Sequence, residues 1–170
     1  MNLSQLGQIF KPCSAAGLVL AGAALTLAGA WTFQYFGYEP CELCLKQRFP
    51  YSAALPLAAA AVFFARNAKT AVARTILGLL ALIFFGGAIF GGYHAGVEWK
   101  FWPGPSDCTG DFVKAPSMAE FQKQLQTTRI VRCDEVAIRI FGLSLADWNV
   151  LVSAGLALIA GLGASSPKKI

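Results

Sequence analysis

Charge is scarce in this chain. Of 170 residues only 14% are Asp, Glu, Lys or Arg, against roughly 25% in ordinary soluble domains. There is a single histidine, so no His-rich metal cluster can form. No G-x-G-x-x-G fingerprint, no P-loop and no internal repeat are found, which removes the common nucleotide-binding classes. A disordered tail, a collagen-like chain and a typical soluble enzyme are excluded by the same composition. What is abundant is apolar: 56% of residues are hydrophobic before the 17 glycines are counted. That balance points to a membrane protein with its charges confined to loops. The length suits one integral membrane domain over residues 1–170.

Four runs carry the apolar residues. A bilayer core of about 30 Å needs roughly 20 residues of helix. Residues 12–38, 49–65 and 75–97 contain no Asp, Glu, Lys or Arg, and neither does 148–167. The expected fold is all-α, a four-helix transmembrane bundle with helices at about 14–36, 47–65, 75–97 and 142–164. The outward loops are expected at about 38–46 and 98–139. The second run is short, but Arg48 and Arg66 at its ends can snorkel. The first run is too long for a signal peptide, and more spans follow it.

Topology follows from the basic residues. Lys11, Arg66, Lys69, Arg74, Lys168 and Lys169 flank one end of the spans with no acidic residue among them. The other side is mixed: Glu39 and Glu42 stand against Lys46 and Arg48, and the 98–139 loop holds six acidic and six basic residues. The positive-inside bias predicts cytoplasmic termini and a cytoplasmic 66–74 loop. Every Trp and Tyr (Trp31, Tyr35, Tyr38, Tyr51, Tyr93, Trp99, Trp102 and Trp148) falls at or near a predicted outer helix end. An interfacial belt accounts for them, and so does a belt combined with an aromatic-lined pocket. In the long loop, Ser117 with Glu120 forms a capping-box pattern, and Met118, Phe121 and Leu125 recur at helical spacing. A short amphipathic helix is predicted there, lying on the membrane surface or packed on the other loop.

The chemistry lies in the cysteines. Five is an odd count. Cys41, Cys44, Cys108 and Cys133 fall in the outward loops, where disulfides persist, and Cys13 at the cytoplasmic end, where they do not. Cys13 reads as a small buried hydrophobe. Cys41-Glu-Leu-Cys44 follows Pro40 at a predicted helix start, a spacing that makes a reducible disulfide and a place that stabilises a thiolate. The same pair could instead be half of a zinc site completed by Cys108 and Cys133. Arg48, four residues after Cys44, would lower that thiol's pKa if it shares its face, or it is a plain helix flank. Cys108 sits in the turn-rich Pro103-Gly-Pro-Ser-Asp-Cys108 stretch. A Cys108–Cys133 bridge would close a long loop, suited to exchange with another protein or to structural stapling.

In combination these features resemble the bacterial membrane disulfide bond formation protein B (DsbB) family, over roughly residues 14–162. The resemblance is carried by Pro40-Cys-Glu-Leu-Cys44 with Gln47-Arg48, Tyr93-His94, Trp102-Pro-Gly-Pro105 leading to Cys108, Arg132-Cys133-Asp134-Glu135, and Phe141-Gly-Leu-Ser-Leu145. It implies an inner-membrane thiol:quinone oxidoreductase that reoxidises a periplasmic thioredoxin-like dithiol oxidase (DsbA-like). Cys108 would exchange with that partner, Cys133 would be its loop mate, and Cys41 would exchange with the loop pair and free Cys44 for the quinone. Arg48 and His94 match quinone-side positions. The implied cofactor is a ubiquinone or menaquinone, with no metal and no nucleic acid. So strong a dithiol oxidant needs a still stronger acceptor, about 30 mV being worth roughly 1.4 kcal/mol for two electrons. Two other readings are a vitamin K epoxide reductase-like thiol–quinone enzyme and a non-enzymatic assembly factor with structural disulfides. The first places its quinone-reactive Cys-x-x-Cys late in the chain, whereas here it is early.

Overall fold

The computed structural model describes residues 11–105, 117–120, 122 and 131–166. Four long helices cross one another as a bundle: α1 (Pro12–Tyr35), α2 (Glu42–Arg66), α3 (Thr70–Glu98) and α4 (Leu145–Ser165). All four are long and apolar enough to span a bilayer. A two-stranded hairpin, β1 (Arg139–Ile140) and β2 (Leu143–Ser144), leads into α4.

The helices run past the apolar stretches that predict them. α2 begins at Glu42 and α3 at Thr70, each five residues before the expected starts at 47 and 75. The reason is local. Charge marks where the membrane ends, whereas helices end where capping ends. Cys41 caps α2 from extended backbone, its sulfur accepting the Cys44 N–H at 3.3 Å. Pro12 opens α1 at a position where its missing N–H costs no hydrogen bond.

Small side chains let the helices approach closely. Ala15, Ala16, Val19 and Ala23 of α1 meet Ala54, Ala58 and Ala61 of α2 in a fully buried core, which Leu77, Leu80 and Phe84 of α3 fill. Gly163 of α4 lies so near Ala15 that a Cβ there would overlap the alanine's own. The large apolar side chains point the other way: Leu25, Phe49, Leu82, Phe85 and Leu158 are exposed on the bundle's outside. Water would penalise that arrangement, and lipid favours it.

The hairpin is built by Phe141-Gly142, both at positive φ (53° and 82°), as a two-residue primed turn requires. It delivers Ser144 as N-cap of α4 with a complete capping box: Asp147 N–H donates to Ser144 Oγ (3.1 Å), and Ser144 N–H to Asp147 Oδ2 (2.9 Å). Trp148 Nε1 donates to Ile140 O at 3.1 Å and locks hairpin to helix. In the predicted amphipathic segment, residues 118–120 and 122 are helical and Glu120 N–H donates to Ser117 Oγ at 3.3 Å. Phe121 and Leu125, which would complete its apolar face, lie outside the described residues.

Candidate active site

The start of α2, the end of α3 and the start of α4 gather around Cys41 and Cys44. Cys41 Sγ is 3.0 Å from Cys44 Sγ, and both are free thiols, as is Cys13. Cys41 is buried, 5% exposed, although it stands at the mouth of the bundle. Its pKa is lowered from 9.0 to about 4. The hydrogen bond from the Cys44 thiol is the largest cause. Burial opposes it, and His94 and the Cys44 backbone N–H add to it. These contacts favour the Cys41 thiolate, the Cys44 thiol chiefly and the helix-start N–H to a lesser degree.

His94, 1% exposed, comes from the last turns of α3. Its Nε2 lies 3.6 Å from Cys41 Sγ and 3.8 Å from Glu98 Oε1, and Gln47 Nε2 donates to its Nδ1 at 2.8 Å. With Nδ1 accepting, Nε2 carries the proton and faces the Cys41 sulfur. The end of α3 is held in place by Trp102, whose ring packs on Gly96 where no Cβ could fit and whose Nε1 donates to Tyr93 O at 3.0 Å.

Cys133 packs in the same buried cluster as Cys41, Leu43 and Val97, and it is disulfide-bonded. Its neighbours are tied down: Asp134 accepts from Arg132 (3.0 and 2.9 Å) and from Lys100 (2.6 Å), and Lys100 also donates to Asp134 O at 2.7 Å. Those cations hold the exposed Asp134 carboxyl well below the usual carboxylate range. Cys108 lies outside the described residues.

On the opposite side, Cys44 lines an apolar cleft of about 480 Å³ between α1, α2 and α4. Arg48, Gln47 and Tyr51 of α2 line it too, with Phe33 and Trp148 across from them. The size fits a drug-sized ring system, and a few polar side chains, among them Gln47, Arg48 and Asn149, interrupt the apolar lining. Arg48 Nη1 donates to Gln34 Oε1 at 2.8 Å and Nη2 to Ala30 O at 3.4 Å, so the guanidinium ties α2 to α1 and is more than a helix flank. Tyr51 OH donates to Asn149 Oδ1 at 2.6 Å and lies 2.7 Å from Ser153 Oγ, pinning the cleft floor to α4. The aromatics serve both expected roles. Trp31, Tyr35 and Trp99 are exposed in a belt, and Tyr38, Tyr51 and Trp148 line the cleft.

The structure brings Cys41, Cys44, Arg48 and His94 to one end of the bundle, but on two sides of the cysteine pair. Arg48 lines the cleft with Cys44, whereas His94 backs Cys41 and is not among the cleft's lining residues. Gln47 and Glu98 belong to the site and were not singled out from the sequence as site residues. The signal was present at helical spacing: Gln47 is three residues after Cys44, and Glu98 four after His94.

The chain matches the family described as disulfide bond formation protein DsbB over residues 12–163. It is 29% identical over 154 residues to disulfide bond formation protein B of Xanthomonas oryzae pv. oryzae, covering 83% of each chain. It is 29% identical over 146 residues to disulfide bond formation protein B 2 of Pseudomonas syringae pv. syringae, covering 82% of this chain and 80% of that one. An uncharacterised protein of Rickettsia prowazekii is 26% identical over 148 residues, covering 85% of this chain and 83% of its own length. No solved structure matches the chain. The chain belongs to the DsbB family and is a multi-pass membrane protein of disulfide bond formation.

Proposed function

We propose that this DsbB-family protein is a thiol:quinone oxidoreductase of the bacterial inner membrane, reoxidising a periplasmic thioredoxin-like dithiol oxidase. One observation carries the reading: the Cys41–Cys44 pair faces two ways. Cys44 lines the apolar cleft, and Cys41 packs against Cys133. A pair so placed can take electrons from a loop disulfide on one side and release them into lipid on the other.

The relay runs as two thiol–disulfide exchanges, each conserving electrons. The partner's thiolate attacks the Cys108–Cys133 disulfide and leaves as a disulfide, so the loop pair becomes a dithiol. That dithiol then reduces a Cys41–Cys44 disulfide, and the electron pair rests on Cys41 and Cys44. Attack falls on Cys41, which packs against Cys133, and Cys44 leaves as the sulfur on the cleft side. A quinone bound in the cleft supplies a lipid-soluble two-electron acceptor. Cys44 and Arg48 would hold its polar end, the guanidinium favouring negative charge there. His94 supports the Cys41 side through its Nε2. The six-to-none basic count supports cytoplasmic termini and a periplasmic active end.

The deciding measurement is quinone reduction by the purified protein supplied with a reduced thioredoxin-like donor. Turnover that needs all of Cys41, Cys44, Cys108 and Cys133 is expected. Thiol oxidation that is indifferent to added quinone would refute the proposal.

A further inference from the structure

We propose that Cys41, Cys44, His94 and Glu98 form, in the reduced protein, a binding site for a zinc-class divalent cation that halts the relay. The inference rests on Cys41 and Cys44 being the inner redox pair, but the binding itself requires no quinone.

The donor atoms of Cys41, Cys44 and His94 all lie within 4.8 Å of one another. Tetrahedral zinc, with Zn–S of about 2.3 Å and Zn–N of about 2.0–2.1 Å, places S···N at about 3.6 Å and S···S at about 3.8 Å. Cys41 Sγ to His94 Nε2 is 3.6 Å already. The two sulfurs, at 3.0 Å, must part by about 0.8 Å, which a thiol rotation provides. Glu98 stands beside this trio but outside the 4.8 Å that holds the three donors together, and a side-chain rotation must bring it in as the fourth. Glu98 has a side chain only 7% exposed, and its Oε1 is 3.8 Å from His94 Nε2. Its Oε2 is buried with no hydrogen-bond partner among the described residues. The same carboxyl takes a hydrogen bond from Ser144, so Oε2 keeps an open acceptor position and the group is not wholly unpaired. Glu98, Cys41 and Cys44 line one small cavity of about 30 Å³, roughly the room that a single water or ion requires.

Gln47 completes the arrangement. Metal-bound imidazole nitrogens are oriented by a hydrogen bond at the other ring nitrogen, and Gln47 already stands 2.8 Å from Nδ1. On binding, the His94 proton moves from Nε2 to Nδ1, and the Gln47 amide turns end for end to accept it. The Cys44 thiol gives its proton to solvent, and Cys41 enters as the thiolate. No electron moves. Both sulfurs are then held by the cation and cannot attack a disulfide or pass electrons to the cleft. Oxidation to a disulfide removes both thiolates and releases the ion, so only the reduced state is inhibited.

The test uses the full-length protein in detergent, reduced, freed of reductant and titrated with Co²⁺ and then Zn²⁺. One equivalent of Co²⁺ should give thiolate-to-cobalt charge-transfer absorption with a tetrahedral ligand-field spectrum, displaced by Zn²⁺ and absent after reoxidation. The signal should survive in a Cys108→Ser/Cys133→Ser protein. Glu98→Gln should weaken Zn²⁺ binding by at least about tenfold, the lower bound seen when only a ligand's supporting partner is removed. No charge-transfer band in the reduced wild type, an unchanged band in the oxidised wild type, or dependence on Cys108 and Cys133 would overturn the proposal. Quinone reduction from a small dithiol, measured on the same metal-free preparation, reports separately on the relay.

Discussion

The two sides of the Cys41–Cys44 pair differ in almost every physical respect. The Cys44 side is an apolar cleft of about 480 Å³, closed by aromatics and marked by one cation, Arg48. The Cys41 side is a tight cluster with His94, Glu98 and Cys133, beside a small cavity of about 30 Å³ lined by both cysteines and Glu98. The contrast teaches how a four-residue motif can serve two solvents. The two cysteines are three positions apart, less than one helical turn, yet one lies at the N-cap and the other inside the first turn. The N-cap position sets Cys41 against Cys133 and the loop, and the helical position lets Cys44 reach the apolar cleft while still packing on the same cluster.

The largest expected effects come from removing either side altogether. Cys44→Ser and Cys41→Ser should bring quinone reduction down to background with any thiol donor. Cys108→Ser should abolish reduction by the protein partner and leave reduction by a small dithiol. Stopped-flow quinone absorbance on equal amounts of each variant measures both. If Cys108→Ser also loses the small-dithiol activity, the two sides are not separable as described.

Arg48 tests the cleft side alone. A hydrogen bond to a charged group is worth about 1.5–3 kcal/mol. Arg48→Ala should therefore raise the apparent KM for quinone by about tenfold to a hundredfold. Arg48→Lys, which keeps charge without the planar fork, should cost less. Mixed-disulfide formation at Cys108 should be unaffected. An unchanged quinone dependence in Arg48→Ala would reduce the arginine to its tie between α1 and α2.

The Cys41 side is tested by pH. With its pKa lowered from 9.0 to about 4, Cys41 is a thiolate at neutral pH, and alkylation of the reduced protein should stay fast until the pH nears that value. Cys44→Ala removes the chief hydrogen-bond donor, so the midpoint should rise toward 9.0. His94→Ala removes a lesser donor and should raise it less. By linkage the unfolded thiol binds more protons between those two values. The reduced protein should therefore lose stability as pH falls from 9.0 toward about 4. Iodoacetamide kinetics by mass spectrometry would show the order, and a midpoint insensitive to Cys44 would contradict the geometry.

The smallest effect is expected at Asp134, which clamps Arg132 and Lys100 beside Cys133. The cluster is exposed, and exposed ion pairs contribute little. Asp134→Asn should slow exchange between the two pairs only slightly, with the difference vanishing at high salt. A large, salt-independent loss would show that the clamp positions Cys133.

Amino-acid order alone determined much of this protein. Four charge-free runs of helical length specify four spanning helices, because a bilayer leaves the backbone no other way to pair its polar groups. The basic count at one end and the aromatics at the other predict an orientation, and Cys41-Glu-Leu-Cys44 with Arg48 points to the chemistry. What the order could not decide is which groups meet across helices. His94 and Glu98 lie more than fifty residues after Cys41, and a helical wheel places them on a face without naming its neighbour. Gln47 carries no stated role in the sequence, and only the packing of α3 sets His94 against it. Packing chose the partners, because close contact between α2 and α3 admits one rotation of each helix and sets which side chains share the buried space. The division of the cysteine pair into a cleft-lining and a loop-facing sulfur is therefore a property of tertiary structure, written on a motif that the sequence had already supplied.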